Sequence, residues 1–306
     1  MTIASTQRFL VGTVISQTFT AFFTRIIPFG GMAIIGFIPS LIFLAGYFYF
    51  IVKFPVFGGF PTPGEIHEPI DPKELADLPW IWISVSLVAF YVASIATTAV
   101  WLAATSYGTF QYLRGQPVRL WQSLQRGVAV FLPCMGAILV IAVGALIAGG
   151  VAFLPVFAFV DDFESPEAIF GVIGWVFLAM TALFIVFAIL GVRLWVTVPA
   201  IAVERPGVFA ALRRSWNLTQ GHAWRVFGVI LVMWAGTAGV SMVAGIVVLL
   251  FVGFGGVTGL FVGQAVNIFL SLIANALFAI AAAVAYVELR RTKEGFGIED
   301  IAAVFD

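Results

Sequence analysis

Charged residues are scarce in this sequence. Asp, Glu, Lys and Arg make up 10% of 306 residues, whereas hydrophobic residues make up 62% and the mean hydropathy is +1.10. A soluble domain of this size could not cover so much apolar surface with so few charges. We therefore expect lipid to be the solvent around most of the chain.

Cysteine and histidine are almost missing as well. The single cysteine, Cys134, excludes a disulfide framework within the chain and every multi-cysteine metal motif. The two histidines, His67 and His222, are far apart, and the chain has no H-E-x-x-H, G-x-S-x-G or P-loop pattern. We predict no catalytic residues, no metal site and no cofactor, and hence a protein that is not an enzyme.

Long apolar runs are what the sequence does contain. A membrane span needs about 20 apolar residues at a rise of about 1.5 Å each. Such runs must be helical, because a backbone in hydrocarbon has to satisfy its own hydrogen bonds. Six stretches qualify, at about 29–52, 80–107, 128–154, 170–200, 226–252 and 260–287.

The few charges are sorted between the two sides of these spans. With the N-terminus inside, thirteen of the fifteen Lys and Arg residues fall in inner segments, and only Lys53 and Lys73 fall outside. Acids collect in the outer loops, from Glu65 to Asp77 and from Asp161 to Glu167. Because positively charged segments stay in the cytoplasm, we predict that both termini are cytoplasmic.

Amphipathic segments precede the spans. In a helix over 206–220, one side is apolar and carries Trp216, and the other carries Arg213 and Arg214. In a helix over 117–126, Trp121 lies on a face opposed by Arg119 and Arg126. Such helices are typical of the headgroup layer, where arginines meet anionic lipid.

The segments 6–26 and 297–305 have the same character. The sequence therefore predicts an all-α polytopic membrane protein of one domain, 1–306. It would contain three units, each a cytoplasmic interfacial helix followed by a helical hairpin, and a fourth interfacial helix would close the chain.

Two segments carry a family resemblance. "ALRRSWNLTQGHAWRVFGVI" and "AYVELRRTKEGFGIEDIA" resemble the membrane domain of bacterial glycerophosphodiester phosphodiesterases and its free-standing, YciC-like integral membrane relatives. The motifs are the Ser-Trp of the surface helix and the Leu-Arg-x-x-x-Glu-Gly after the last span. The resemblance implies a polytopic inner-membrane protein. It does not imply phosphodiesterase activity, which belongs to a separate soluble barrel for which this chain has no room.

Three polar features leave alternatives open. Gln264, Asn267, Ser271 and Asn275 share one stripe of the last span, as interhelical glue or as the wall of a substrate path. Arg193 lies inside the end of span four, and it either snorkels to the surface or meets a partner such as Glu204 or a lipid phosphate. The outer-loop carboxylates near His67 form a solvated loop or, as the weaker alternative, a cation site.

The favoured function is a scaffold or lipid-associated component whose basic cytoplasmic face engages anionic headgroups or a protein partner. The contact residues would be Arg119, Trp121, Arg126, Arg213, Arg214, Trp216 and Arg225. The alternative is a transporter or lipid-handling permease that uses Arg193, Gln264, Asn267 and Asn275. Expected partners are membrane lipids, in particular anionic ones, with another membrane protein or a second copy of this chain as further candidates, and no nucleic acid.

Overall fold

The computed structural model describes residues 9–53, 80–156 and 166–295, and these residues form nine helices. Short helices are α1 (Val11–Thr24), α4 (Leu120–Ala129), α7 (Thr197–Glu204) and α8 (Val208–Thr219). Long helices are α2 (Ile26–Lys53), α3 (Trp80–Leu113), α5 (Phe131–Phe153), α6 (Pro166–Leu194) and α9 (Ala223–Glu294). The predicted helix 297–305 and the acidic outer loop from Glu65 to Asp77 lie outside the described residues.

The long helices confirm the all-α polytopic fold. Within the described residues, five helical stretches are long and apolar enough to cross a membrane: Ile83–Leu113, Phe131–Val156, Ile169–Glu204, Ala223–Gly253 and Val262–Glu294. A sixth is present if α1 and the first half of α2, which meet at 92°, count as one span. This bend sets the amphipathic α1 across the axis of α2, which is the geometry expected of a surface helix that leads into a span.

Helix α9 contains the last two predicted spans and folds back on itself. A straight helix would separate residues 248 and 263 by about 22 Å, at a rise of about 1.5 Å per residue. Instead, a Cβ atom added to Gly263 would lie 2.7 Å from the Cα atom of Val248. The backbones of the two arms therefore meet near this reversal, where glycine removes the steric obstacle. Both ends of α9 consequently lie at the same end of the bundle.

Some predicted boundaries differ from the structure. For example, the surface helix predicted over 117–126 is α4, Leu120–Ala129. Span four is one candidate stretch, Ile169–Glu204, but it has a short break, because α6 ends at Leu194 and α7 begins at Thr197. Pro199 in the first turn of α7 fits this break, since its ring leaves the carbonyl of Trp195 without an N–H partner. Helix α8 begins at Val208 after the N-cap Gly207, so Pro206 is not its first residue. Helix α8 ends at Thr219, one residue before the predicted end, and Gly221 beyond it has a φ of +85°.

The core surrounds the second arm of α9. Its residues from Ala276 to Leu289 are almost all buried, and they pack against α1, α2 and α3. Many of them are alanines, which let helix backbones approach closely in a membrane protein. Gly127 of α4 also allows two helix backbones to approach closely, because an added Cβ there would meet the carbonyl oxygen of Val100 in α3. The amphipathic helix α4 is thereby held flat against a span.

Candidate functional site

Arg126 joins α4 to the end of α7. Its Nε atom donates to the carbonyl oxygen of Ala202 at 3.0 Å, and its Nη2 atom donates to that of Val203 at 3.4 Å. The last carbonyls of a helix lack intrahelical partners, and a cation there also meets the negative end of the helix dipole. Arg126 therefore caps α7 from a neighbouring helix, and its guanidinium is engaged within the protein.

Glu204, the last residue of α7, is the centre of an ion-pair network that we call the Arg–Glu cluster. Its other members are Arg214 of α8 and Tyr286, Arg290 and Glu294 of α9. Glu204 accepts hydrogen bonds from Arg214 Nε at 3.1 Å, from Arg214 Nη2 at 3.0 Å and from the Tyr286 hydroxyl at 2.5 Å. Glu294 accepts one from Arg290 Nε at 2.8 Å and also contacts Arg214.

The Arg–Glu cluster is electrically balanced, with two arginines and two glutamates. Burial opposes the charge on Arg214, but the hydrogen bonds that Arg214 donates to Glu294 and Glu204 outweigh it and raise the pKa of this guanidinium. Half-buried charges of this kind depend on their partners, because an uncompensated one would be costly. The cluster therefore fastens α7, α8 and the end of α9 together.

Arg193 lies in the last turn of α6, against α8. Its carbonyl oxygen accepts hydrogen bonds from the hydroxyls of Ser215 at 2.8 Å and Thr219 at 3.4 Å. Its guanidinium carbon lies 5.2 Å from the ring centre of Trp216. The Ser-Trp motif thus has a physical role: the serine satisfies a carbonyl at the end of α6, and the tryptophan stacks on the arginine of the same turn. Glu204, the nearest acid in sequence, pairs with other arginines.

A second basic residue, Lys293, contacts the residue of α8 that follows Trp216. The ammonium of Lys293 donates to the carbonyl oxygen of Asn217, and it repels Arg193 electrostatically. Burial, with the nearby charges of Arg225 and Lys293, lowers the pKa of His222, although a hydrogen bond with the Gln220 backbone opposes the shift. His222 is therefore neutral at pH 7, and the surrounding charge comes from the lysine and the arginines.

The surface of this end of the bundle is aromatic and basic. Trp224 is 85% exposed, Phe209 76% and Trp121 70%, while Trp216 is 41% exposed even though it stacks on Arg193. Arg119, Arg213 and Arg225 are exposed as well. The structure separates the two neighbours that the sequence placed on one polar face, because Arg213 is exposed whereas Arg214 belongs to the Arg–Glu cluster.

The polar stripe of the last span forms hydrogen bonds within its own helix. The Ser271 hydroxyl donates to Asn267 Oδ1 at 3.4 Å, and the Asn275 amide donates to the Ser271 carbonyl at 2.8 Å. Gln264 and Asn267 are half-buried, whereas Asn275 is exposed. No hydrogen bond between this stripe and another helix occurs within the described parts of the chain. Both predicted roles, interhelical hydrogen bonding and the wall of a substrate path, stay predictions.

Sequence reasoning missed the roles of Glu204, Tyr286 and Lys293. One ion pair could have been predicted, because Arg290 and Glu294 lie four residues apart on a helix, the spacing of a surface ion pair. The hydrogen bond between Glu204 and Tyr286 could not, since Tyr286 is 82 residues away in the chain. Among residues 9–53, 80–156 and 166–295, no three His, Cys, Asp or Glu side chains form a group that could hold a metal.

These features define an all-helical, multi-pass membrane protein with an ion-paired basic end. Residues 166–289, about two fifths of the chain, match the family described as the membrane domain of glycerophosphoryl diester phosphodiesterase. The resemblance expected from the two motifs is thereby confirmed. The match covers α6, α7, α8 and most of α9, and it ends just before Arg290. It concerns the membrane domain alone, so it brings no catalytic residues to this chain. No curated protein and no solved structure matches.

Proposed function

We propose that this protein is a non-catalytic component of the bacterial inner membrane whose basic end engages anionic lipid headgroups in the cytoplasmic leaflet. The observation that carries the proposal is the pairing of exposed aromatic side chains with exposed arginines on α4, α8 and the start of α9. Tryptophan prefers the headgroup level, and arginine beside it gains from anionic lipid. The proposed contacts are Arg119, Trp121, Arg213, Trp216, Phe209, Trp224 and Arg225.

Arg126 and Arg214 are left out of these contacts. Both guanidiniums are hydrogen-bonded inside the protein, to the end of α7 and to Glu204 respectively. A lipid phosphate would have to compete with carbonyls and carboxylates that are already in place. Arg126 and Arg214 would hold the surface helices in place, and the exposed arginines would give the preference for anionic lipid.

A test compares two pairs of charge removals. The variant Arg119→Gln with Arg213→Gln removes two exposed cations at the basic end. The control, Lys53→Gln with Lys73→Gln, removes two cations that the sequence places on the other side of the membrane. At about 1 kcal/mol per charge near the surface, the first pair should lose about 2 kcal/mol of preference for anionic lipid, which corresponds to roughly 30-fold.

The measurement is the ratio of phosphatidylglycerol to phosphatidylethanolamine that stays bound when each variant is purified in mild detergent, read by mass spectrometry. We expect the arginine pair to lower this ratio and the lysine pair to leave it at the wild-type value. A wild-type ratio in the arginine pair would overturn the proposal. Equal losses in both pairs would also overturn it, because they would show an effect of net charge alone.

A further inference from the structure

Arg193 and Lys293 differ from the arginines of the Arg–Glu cluster in their ionic partners. Every charge of the Arg–Glu cluster has an opposite charge within 4 Å, whereas Arg193 and Lys293 have none among the described residues. The two cations nevertheless lie close together, since they hold neighbouring residues of one turn, Trp216 and Asn217. Two like charges near one another, one of them on the half-buried Arg193, favour the binding of an anion.

The hydrogen bonding of Arg193 indicates the same need. Its guanidinium donates to no described residue, and its Nη1 atom is fully buried without a partner. Leaving a buried donor unpaired costs about 1–3 kcal/mol, and more when it is charged. The contact with the Trp216 ring supplies no hydrogen-bond acceptor, and the donors of a guanidinium match the oxygens of a phosphate.

The position is pre-organised from three sides. Ser215 and Thr219 fix the backbone of Arg193, the ring of Trp216 fixes its side chain, and the carbonyl of Asn217 holds Lys293. Lys293 has three donors and uses one of them on this carbonyl. Because Lys293 is exposed and Trp216 partly so, a phosphate could approach from the headgroup layer.

We propose that Arg193 and Lys293, which contact the adjacent residues Trp216 and Asn217 of α8, form a discrete binding site for one phosphate group. The inference rests on the proposed function and sharpens it, from a lipid-attracting surface to a single built site. The phosphate could be that of an anionic lipid headgroup or of a free phosphate, since both present the same oxygens to an arginine fork and an ammonium.

The test is a calorimetric titration of the full chain, purified in a neutral detergent and freed of lipid. The probes are inorganic phosphate, dioctanoyl-phosphatidylglycerol and, as the zwitterionic comparison, dioctanoyl-phosphatidylcholine. We expect one saturable site for the anionic probes. Binding should weaken at least tenfold in Arg193→Gln and in Lys293→Gln, and it should change less than twofold in Arg25→Gln, an exposed arginine outside the proposed lipid contacts and the Arg–Glu cluster. Binding of phosphatidylglycerol alone would assign the site to a headgroup, and equal binding of inorganic phosphate would assign it to a free phosphate.

Lys293→Gln keeps the test decisive if Arg193→Gln does not fold, because Lys293 is exposed and lies outside the Arg–Glu cluster. Wild-type affinity in Lys293→Gln, or the absence of a saturable site in the native chain, would overturn the proposal. So would a tenfold gain in affinity on Glu299→Gln with Asp300→Asn, since the chain's own carboxylates would then be the occupants. A normal lipid ratio in the Arg119 and Arg213 pair would instead overturn the proposed function, so the two failures are distinguishable.

Discussion

Neutralising Glu204 should destabilise the fold more than neutralising any carboxylate that has a single partner. Glu204 accepts three hydrogen bonds from Arg214 and one from Tyr286, and it lies 3.4 Å from Arg290. Breaking a fully buried pair costs about 3–5 kcal/mol. The Glu204 side chain is 21% exposed and Glu294 would still compensate one arginine, so we expect Glu204→Gln to lower the free energy of unfolding by about 2 kcal/mol.

Glu288→Gln is the matched control. Its side chain is 15% exposed, close to that of Glu204, but it has one ionic partner, Arg291, at 3.4 Å and three residues along the same helix. A pair of this kind contributes about 0.2–0.5 kcal/mol. The two variants therefore make the same chemical change in similar surroundings, and they differ in how many partners lose the charge.

The assay is reversible unfolding in mixed micelles with a rising fraction of a denaturing detergent, followed by far-ultraviolet circular dichroism. The double variant Glu204→Gln with Arg214→Gln separates the charge effect from lost packing. It should be less unstable than the sum of its single changes, because it also removes the arginine left unpaired. Equal stability of Glu204→Gln and Glu288→Gln would refute the reasoning, and strict additivity in the double variant would show that the pair is not coupled.

Two further predictions concern topology and transport. Cys134 is buried, so single cysteines can be introduced in a Cys134→Ala background to report on which side of the membrane a residue lies. We expect Gln220→Cys to react with an impermeant maleimide only from the cytoplasmic side, and Pro69→Cys only from outside. The reverse result would invert the proposed orientation. Replacing Gln264, Asn267 and Asn275 together by Leu should leave both the fold and the retained lipid ratio unchanged, whereas loss of solute flux into proteoliposomes would favour the permease alternative over the proposed function.

The spans could be predicted from the sequence because run length alone fixes them in hydrocarbon. The break after Leu194 was less accessible, since Pro199 is compatible with a kink or with a new helix start, and the surrounding packing decides. The reversal of α9 between residues 248 and 263 agrees with the gap between the predicted spans 226–252 and 260–287. The three-dimensional contact that makes glycine necessary there needed the structure.

The surface helices show where sequence patterns fail. A helical wheel divides residues into an apolar and a polar side, but a helix on a membrane protein has three neighbours: lipid, water and protein. Arg213 and Arg214 differ by about 100° around α8, and this rotation makes one exposed and the other an ion-pair partner of α7 and α9. Nothing in the local sequence identifies which polar residues face protein, because the carboxylates that decide it are distant in the chain or on another helix.

The wide sequence separation within the Arg–Glu cluster has a consequence for biogenesis. Glu204 is synthesised 82 residues before Tyr286, and Arg214 also precedes Tyr286, whereas Arg290 and Glu294 follow it. Until then the ion pair of Glu204 and Arg214 lacks its contacts with Tyr286 and Arg290. The Arg–Glu cluster can therefore form only after both arms of α9 have been inserted, so its formation reports that this hairpin has the correct orientation.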